Sequence, residues 1–260
     1  MSGDKRFAVL VDADNISSQY IKIVMDEISN VGFATYKRIY GDWTGPGLNS
    51  WKRCLLQYAI TPIQQYSYTS GKNATDSAMI IEAMDILYTG KVDGYCLVSS
   101  DSDFTRLAIR LREAGMDVIG MGESKSPPSF ISACNQFKYL DVLLSTQKKA
   151  MVDAGNKKKA QSKPDTSRPI KTSITTIKET IEHIVGEASG EDGWLLLSTL
   201  GTILRNRHPD FDVRNYGYSK LIALIADIST LEMRNNPGPT GIPVFCIKIK
   251  DDSVLSCADK

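Results

Sequence analysis

The stretch LVSSDSDF, residues 97–104, ends a short apolar run on two serines and two aspartates before any helix begins. Asp101 and Asp103 stand two positions apart, and like charges that close raise each other's energy unless a cation lies between them. Two more carboxylates also mark the ends of elements: Asp12 closes the apolar run FAVLVD, and Asp76 opens the helical pattern after GKNAT. If the apolar runs are parallel strands, four carboxylates from three segments converge on one edge of a sheet, where α/β proteins collect their ligands. Mg2+ and Mn2+ take hard oxygen ligands of this kind, and such a set suits metal-assisted hydrolysis. Histidine is a poor candidate for that chemistry, because the two histidines of the chain, His183 and His208, both lie in its last third.

Each carboxylate also has a purely structural explanation. Asp76 suits a helix N-terminus, where a negative charge faces the positive end of the dipole. Asp103 would cap a helix starting at Phe104, and Asp14 and Asn15 are good turn formers after a strand. Glu82 and Asp85 read as solvated residues of a helix face. Asp12 is harder to dismiss, since a carboxylate closing a buried strand is costly to desolvate.

The elements that would position these groups follow from the hydrophobic pattern. Residues 7–11, 33–40, 60–66, 94–99 and 117–121 read as strands buried on both faces, and 16–31, 50–58, 76–88 and 103–114 as helices between them. Strict alternation of strand and helix predicts an α/β three-layer sandwich around a central parallel sheet. The 42% hydrophobic and 23% charged composition is that of a soluble globular chain, with a formal net charge of +1. No run approaches the roughly eighteen apolar residues a membrane helix needs, and MSGDKRFAVLVDADN is not a signal peptide. Five cysteines, an odd and scattered set without CxxC spacing, read as core residues of a reduced, cytoplasmic protein.

The near-neutral total conceals a segregation of charge. Residues 146–171 hold eight Lys/Arg against two Asp/Glu, a net +6, whereas residues 1–145 are net −2 and residues 172–260 net −3. This Lys-rich stretch, with Pro164 and Pro169, reads as a basic flexible linker, either a plain tether or a strap for nucleic-acid phosphates. Beyond it, Ile174, Ile177, Ile181 and Ile184 form one helical stripe, and 194–204 and 218–228 read as two more helices. Strand-like runs at 231–234 and 244–250 complete a small winged-helix domain over residues 172–252, with 253–260 as a tail. Arg205, Arg207, Arg214, Tyr216, Tyr218 and Lys220 make a basic and aromatic cluster suited to RNA phosphates and bases.

VDADN, GKNATDSAM with AMDILYTG, and SSDSDF together resemble the NYN domain, a PIN-like nuclease fold, and most closely its LabA-like bacterial branch. The resemblance covers residues 6–143 and implies a metal-dependent ribonuclease with one or two Mg2+ or Mn2+ ions. By position, the family's metal-site acids fall on Asp12, Asp76, Asp101 and Asp103, and its asparagine after the first acid falls on Asn15 in a supporting role. Where many members have glycine before the third acid, this chain has Ser100. The region DGWLLLSTLGTILRNRHPDFDVRNYGYSKLIALIADISTLEMRN, followed by IPVFCIKI, resembles the OST-HTH or LOTUS domain, which implies RNA binding or protein contacts.

The expected function is therefore hydrolysis of RNA phosphodiesters by an aspartate–metal centre in residues 1–145. Lys72 beside the site and Lys148, Lys149, Lys157, Lys158 and Lys159 in the linker would attract RNA without regard to sequence. One rival is a non-catalytic RNA-binding regulator that keeps the fold. Another is a haloacid-dehalogenase-like phosphatase with Asp12 as nucleophile and Asp14 two residues on. Asn15-Ile16 departs from that pattern, and Lys91 is the nearest lysine to its late acidic motif. RNA, and a protein partner for the second domain, are the expected partners, with dimerisation an open option.

Overall fold

The structure, a computed structural model, describes residues 5–66, 74–155, 172–190, 192–237 and 243–250. The chain divides into two compact units.

The first unit runs β1 (Lys5–Asp12), α1 (Ile21–Ser29), β2 (Gly32–Gly41), α2 (Asn49–Tyr58), β3 (Thr61–Gln64) and α3 (Ala74–Thr89). It continues through β4 (Gly94–Val98), α4 (Thr105–Glu113), β5 (Asp117–Gly122), α5 (Pro128–Ala133), β6 (Gln136–Tyr139) and α6 (Leu140–Gly155). All six strands pair in parallel, in the order β3-β2-β1-β4-β5-β6. Helices cover both faces, as the alternating pattern predicts.

β1 and β4 occupy the middle of the sheet, and their side chains feed two separate cores. Ala8, Leu10, Tyr95 and Leu97 join Met79, Ala83, Phe104 and Phe137 on one face. Phe7, Val9, Val11, Cys96 and Val98 join Ile23, Ile28, Trp51 and Met121 on the other. A strand buried on both faces must be apolar at every position, so it appears in the sequence as an unbroken run instead of an alternation. The outer strand β3 is part-exposed along its length, unlike the doubly buried strand expected there.

Several elements differ from expectation. The helix expected over 16–31 is a 3-10 turn at Ser18–Tyr20 followed by α1. α5 and β6 were not anticipated. Six residues starting at Pro128 are too few to show helical periodicity, and QFKY alternates intermediate and buried positions over only four residues. Glu82 is not a freely solvated residue of α3, because it accepts from the Tyr40 hydroxyl and pairs with Arg38. α6 continues to Gly155, so helix covers the first ten residues of the stretch read as linker. Lys157, Lys158, Lys159 and Lys72 lie outside the described residues.

The second unit contains α7 (Ile174–Ala188), β7 (Leu195–Leu196), α8 (Leu197–Arg207), α9 (Leu221–Ala226), β8 (Leu231–Pro237) and β9 (Pro243–Ile249). Ser173 caps α7, its Oγ accepting from the Thr176 N–H at 3.1 Å. The isoleucine stripe is buried as expected, with Ile177, Ile181 and Ile184 packed on Leu200, Leu204, Leu224 and Ile247. The helix expected over 218–228 is shorter, because Val213–Tyr216 form a 3-10 turn that ends at Gly217 with φ +83°. The strands form an antiparallel sheet in the order β7-β9-β8, in which the two-residue β7 was not foreseen.

Gly122 sets how closely β5 approaches β4. A Cβ there would stand 2.5 Å from the carbonyl oxygen of Ser99 and 2.5 Å from Ser126 Oγ. The backbone oxygen cannot swing aside, so Gly122→Ala should destabilise the first unit by about 1–3 kcal/mol. Urea unfolding followed by circular dichroism would read this as a lower midpoint, and an unchanged midpoint would show that the strands tolerate separation.

Candidate metal centre

The strand order reverses direction between β1 and β4. The chain leaves β1 toward β2 on one side, and leaves β4 toward β5 on the other, which opens a crevice beyond their carboxyl ends. Asp12 is the last residue of β1, and Asp101 and Asp103 lie in the 3-10 turn region that follows β4.

Asp12 is 1% exposed, and both of its oxygens are engaged. Oδ2 accepts from the Ser99 hydroxyl at 2.8 Å, and Oδ1 accepts from the backbone N–H groups of Asp14 at 3.2 Å and Asn15 at 3.3 Å. Burial pushes the Asp12 pKa up, while the hydrogen bonds from Ser99 and Asn15 oppose that rise. The fully buried Ser99 Oγ also accepts from the Asp101 N–H at 3.1 Å, so one hydroxyl ties the end of β1 to the turn after β4. Asn15 makes a second tie, donating its side-chain amide to Asp101 Oδ2 at 3.3 Å.

Capping in the turn after β4 falls to Asp101, whose Oδ1 accepts from the Asp103 N–H at 3.0 Å. Asp103 therefore sits inside the turn and does not cap a helix at Phe104. Asp76 enters from the first turn of α3. Its neighbour Thr75 is buried and donates its hydroxyl to Asp14 Oδ2 at 2.8 Å, fastening the start of α3 to the loop after β1. Sequence reasoning did not single out Ser99 or Thr75 and treated Asp14 mainly as a turn former. Hydroxyl residues beside acids were the one visible signal.

The carboxylates of Asp76, Asp101 and Asp103 each offer an oxygen within 4.8 Å of the other two. Asp12, buried, is not part of that group. The Asp76 carboxyl is pushed up to about 6, first by burial and then by the charges of Asp12, Asp101, Asp103 and Asp14. An all-carboxylate donor set under mutual repulsion fits a hard divalent cation, which would relieve that repulsion.

The basic and aromatic cluster expected in the second unit is largely engaged with its own domain. Tyr216 is 6% exposed, packs beside Phe211 and donates its hydroxyl to the Thr172 carbonyl at 3.1 Å. Its ring belongs to the core and offers no stacking face. Arg214 forks onto Asp212, with Nε at 2.9 Å and Nη2 at 2.6 Å. Arg207 pairs with Glu187 at 3.0 Å, and Tyr218 donates to Asp227 at 2.6 Å. Arg205 and Lys220 are exposed, as are Lys148 and Lys149 on α6.

The Asp76 shift carries a signed consequence. An aspartate titrates near 4 in an unfolded chain, so the folded chain holds the Asp76 proton more tightly. The resulting stability is fully present below about pH 4 and is lost as the pH rises through about 6. In chelator, Asp76→Asn should melt higher than the native chain above pH 6, with the gap closing toward pH 4. In Mn2+ the order should reverse, because only the native chain gains the full metal-linked rise. Melting curves across that range test it, and parallel curves in chelator would show that the folded chain does not raise the Asp76 pKa.

Residues 6–141 match the NYN domain, a PIN-like nuclease type, and residues 170–243 match the OST-HTH/LOTUS domain. No curated protein matches the chain. Among solved structures, a protein of unknown function from Vibrio parahaemolyticus is similar at 17% identity and a TM-score of 0.46, over 54% of this chain and 94% of that one. The NYN match spans more than half of the 260 residues, and the chain belongs to the NYN domain family, with an OST-HTH/LOTUS domain following.

Proposed function

We propose that this protein is a metal-dependent ribonuclease that hydrolyses RNA phosphodiester bonds at the carboxylate cluster beyond β1 and β4. The observation that carries the reading is the convergence of Asp76, Asp101 and Asp103 to within 4.8 Å, at the point where the strand order reverses. These three would hold Mg2+ or Mn2+. When bound, such an ion supplies charge neutralisation at the phosphate and a water of lowered pKa.

The chain's own residues have separable roles in this reading. Asp76, Asp101 and Asp103 provide ligand oxygens. Asn15 fixes one oxygen of Asp101, and Ser99 fixes the Asp101 backbone, so the turn cannot rotate its carboxylate away. Asp12 anchors both ties and adds its charge to the cluster. It serves better as that anchor than as a direct ligand, since each of its oxygens already accepts at least one hydrogen bond. Thr75 and Asp14 hold the start of α3, and thereby Asp76, in place. Asp14 accepts a hydrogen bond in that contact, which suits an anchor better than the mobile acid a phosphatase would need.

RNA would be drawn by the net +6 segment, Lys148 and Lys149 included, with the OST-HTH/LOTUS domain retaining it or a protein partner. We place the protein in the cytoplasm on its reduced cysteine usage, the four described cysteines being free. Among the described residues no helix is long and apolar enough to cross a membrane.

The test is cleavage of a labelled mixed-sequence RNA in Mn2+, Mg2+ or chelator. Cleavage should vanish in chelator and fall at least about 100-fold in Asp101→Asn. Asn15→Ala and Asp12→Asn, which orient ligands, should lose roughly 10- to 100-fold. RNA binding without cleavage in either metal, with the variants indistinguishable from native, would sink the nuclease and leave a binding protein.

A further inference from the structure

Among the described residues, the three-stranded sheet of the second unit has one covered face and one open face. Side chains alternate along a strand, so register assigns each residue to a side. Leu195, Leu231 and Ile247 point inward and belong to the core. Leu196 and Arg234 both stand opposite Cys246, and Glu232 stands opposite Lys248, which puts these residues together on the outer side. There Leu196 is 44% exposed, and Arg234 is exposed as well.

Trp194, half-buried just before β7, lies on this open side, because the Arg234 guanidinium sits over its ring 4.8 Å from the centroid. The turn before it is fixed. The Trp194 N–H donates to Asp192 Oδ1 at 3.2 Å, its carbonyl accepts from the Gly190 N–H at 3.2 Å, and Gly193 takes φ +76°. The aliphatic stem of Lys248 lies against Gly193, whose added Cβ would come within 3.0 Å of Lys248 Cε. A tryptophan, an arginine plane and a lysine stem are thus gathered on a sheet face that no other described element covers.

We propose that this open face is a docking surface for single-stranded RNA, with Trp194 and the Arg234 guanidinium as the stacking platform for an unpaired base. Unstacked bases settle on aromatic rings and on arginine planes, and an arginine can serve a base and a phosphate together. A duplex hides its base faces and gains nothing from such a platform. Glu232 shares this face, opposite Lys248, so the affinity comes from stacking more than from net charge. The surface differs from the helix-side cluster around Tyr216, whose ring is in the core. The inference extends the ribonuclease reading to the form of RNA held, and it rests on that reading only for the identity of the ligand.

The experiment uses the full chain in chelator, so that RNA is held and not cut, with a fluorescent single-stranded RNA of about a dozen nucleotides read by anisotropy. Trp194→Ala should weaken binding roughly 5- to 100-fold, Trp194→Phe much less, and Arg234→Ala at least several-fold. A greater loss of binding in Arg205→Ala or Lys220→Ala, both exposed on the helix side, than in Arg234→Ala would overturn the proposal. Arg234 is exposed, so its variant remains informative if a melting curve shows Trp194→Ala to be unfolded. A duplex of the same sequence should be insensitive to Trp194→Phe and Arg234→Ala.

Full binding in Arg234→Ala and in a folded Trp194→Ala would overturn the proposal. So would a native chain that holds no RNA, which would leave the face to a protein partner. Cleavage assays on the same preparations separate the two readings. Trp194-dependent binding without cleavage in any metal removes the nuclease and keeps the face. Cleavage with binding indifferent to Trp194 and Arg234 removes the face and keeps the nuclease.

Discussion

The first unit is organised around one buried carboxylate. Asp12 sits at the end of the central strand almost wholly out of water, where an ionised group is costly unless its oxygens are hydrogen-bonded. Three donors meet that requirement: the Ser99 hydroxyl and the N–H groups of Asp14 and Asn15. Because they come from β1's own loop and from the end of β4, satisfying Asp12 also fixes the two loops against each other. Ser99 extends the effect by accepting from the Asp101 N–H while it donates to Asp12. Loss of that one hydroxyl would leave a buried charge short of a donor and a loop without its tether, and the unsatisfied partner is usually the larger cost.

The sheet makes this constraint useful. Strands buried on both faces are rigid, and the order β3-β2-β1-β4-β5-β6 sends the loops after β1 and β4 in opposite directions. The crevice between them is thus a consequence of topology, and the acids at its mouth inherit positions set by packing far below. Asp76 is brought in separately, on the first turn of α3, through the Thr75–Asp14 hydrogen bond. Charge repulsion alone would push the start of α3 away. The Asp76 pKa is raised first by burial and then by the charges of the neighbouring aspartates.

What the sequence revealed follows from which interactions leave a one-dimensional trace. Doubly buried strands leave an unbroken apolar run, so β1 and β4 were legible, and so were the acids that end them. Four residues of β6 and six of α5 are too short to show a period, and α5 opens on Pro127-Pro128, which resembles a loop. Pairing leaves no such trace. Nothing in the run of types from Asp212 to Lys220 says that Arg214 is held by Asp212, or that Tyr216 turns inward to Thr172 while Tyr218 binds Asp227. For the same reason Trp194 and Arg234, forty residues apart, did not announce themselves as a pair. Asp12 was legible as an acid that ends a strand, but the engagement of both its oxygens is a three-dimensional fact.

If the acidic centre acts on RNA as proposed, a polyanionic substrate poses a problem that the rest of the chain has to answer. Burial and four neighbouring aspartates already push the Asp76 carboxyl up, and the same negative field would oppose a phosphate until cations offset it. Affinity must then come from groups that do not disturb the cluster, and the sequence keeps its largest basic excess, net +6, in residues 146–171, outside the strands that carry the acids. Lysine-rich attraction is long-ranged but indifferent to sequence and falls with salt. Stacking on Trp194 and Arg234 would be short-ranged, salt-tolerant and selective for unpaired bases. An enzyme with both would find RNA by charge, choose single strands by stacking, and leave the metal-binding acids free of any role in recognition.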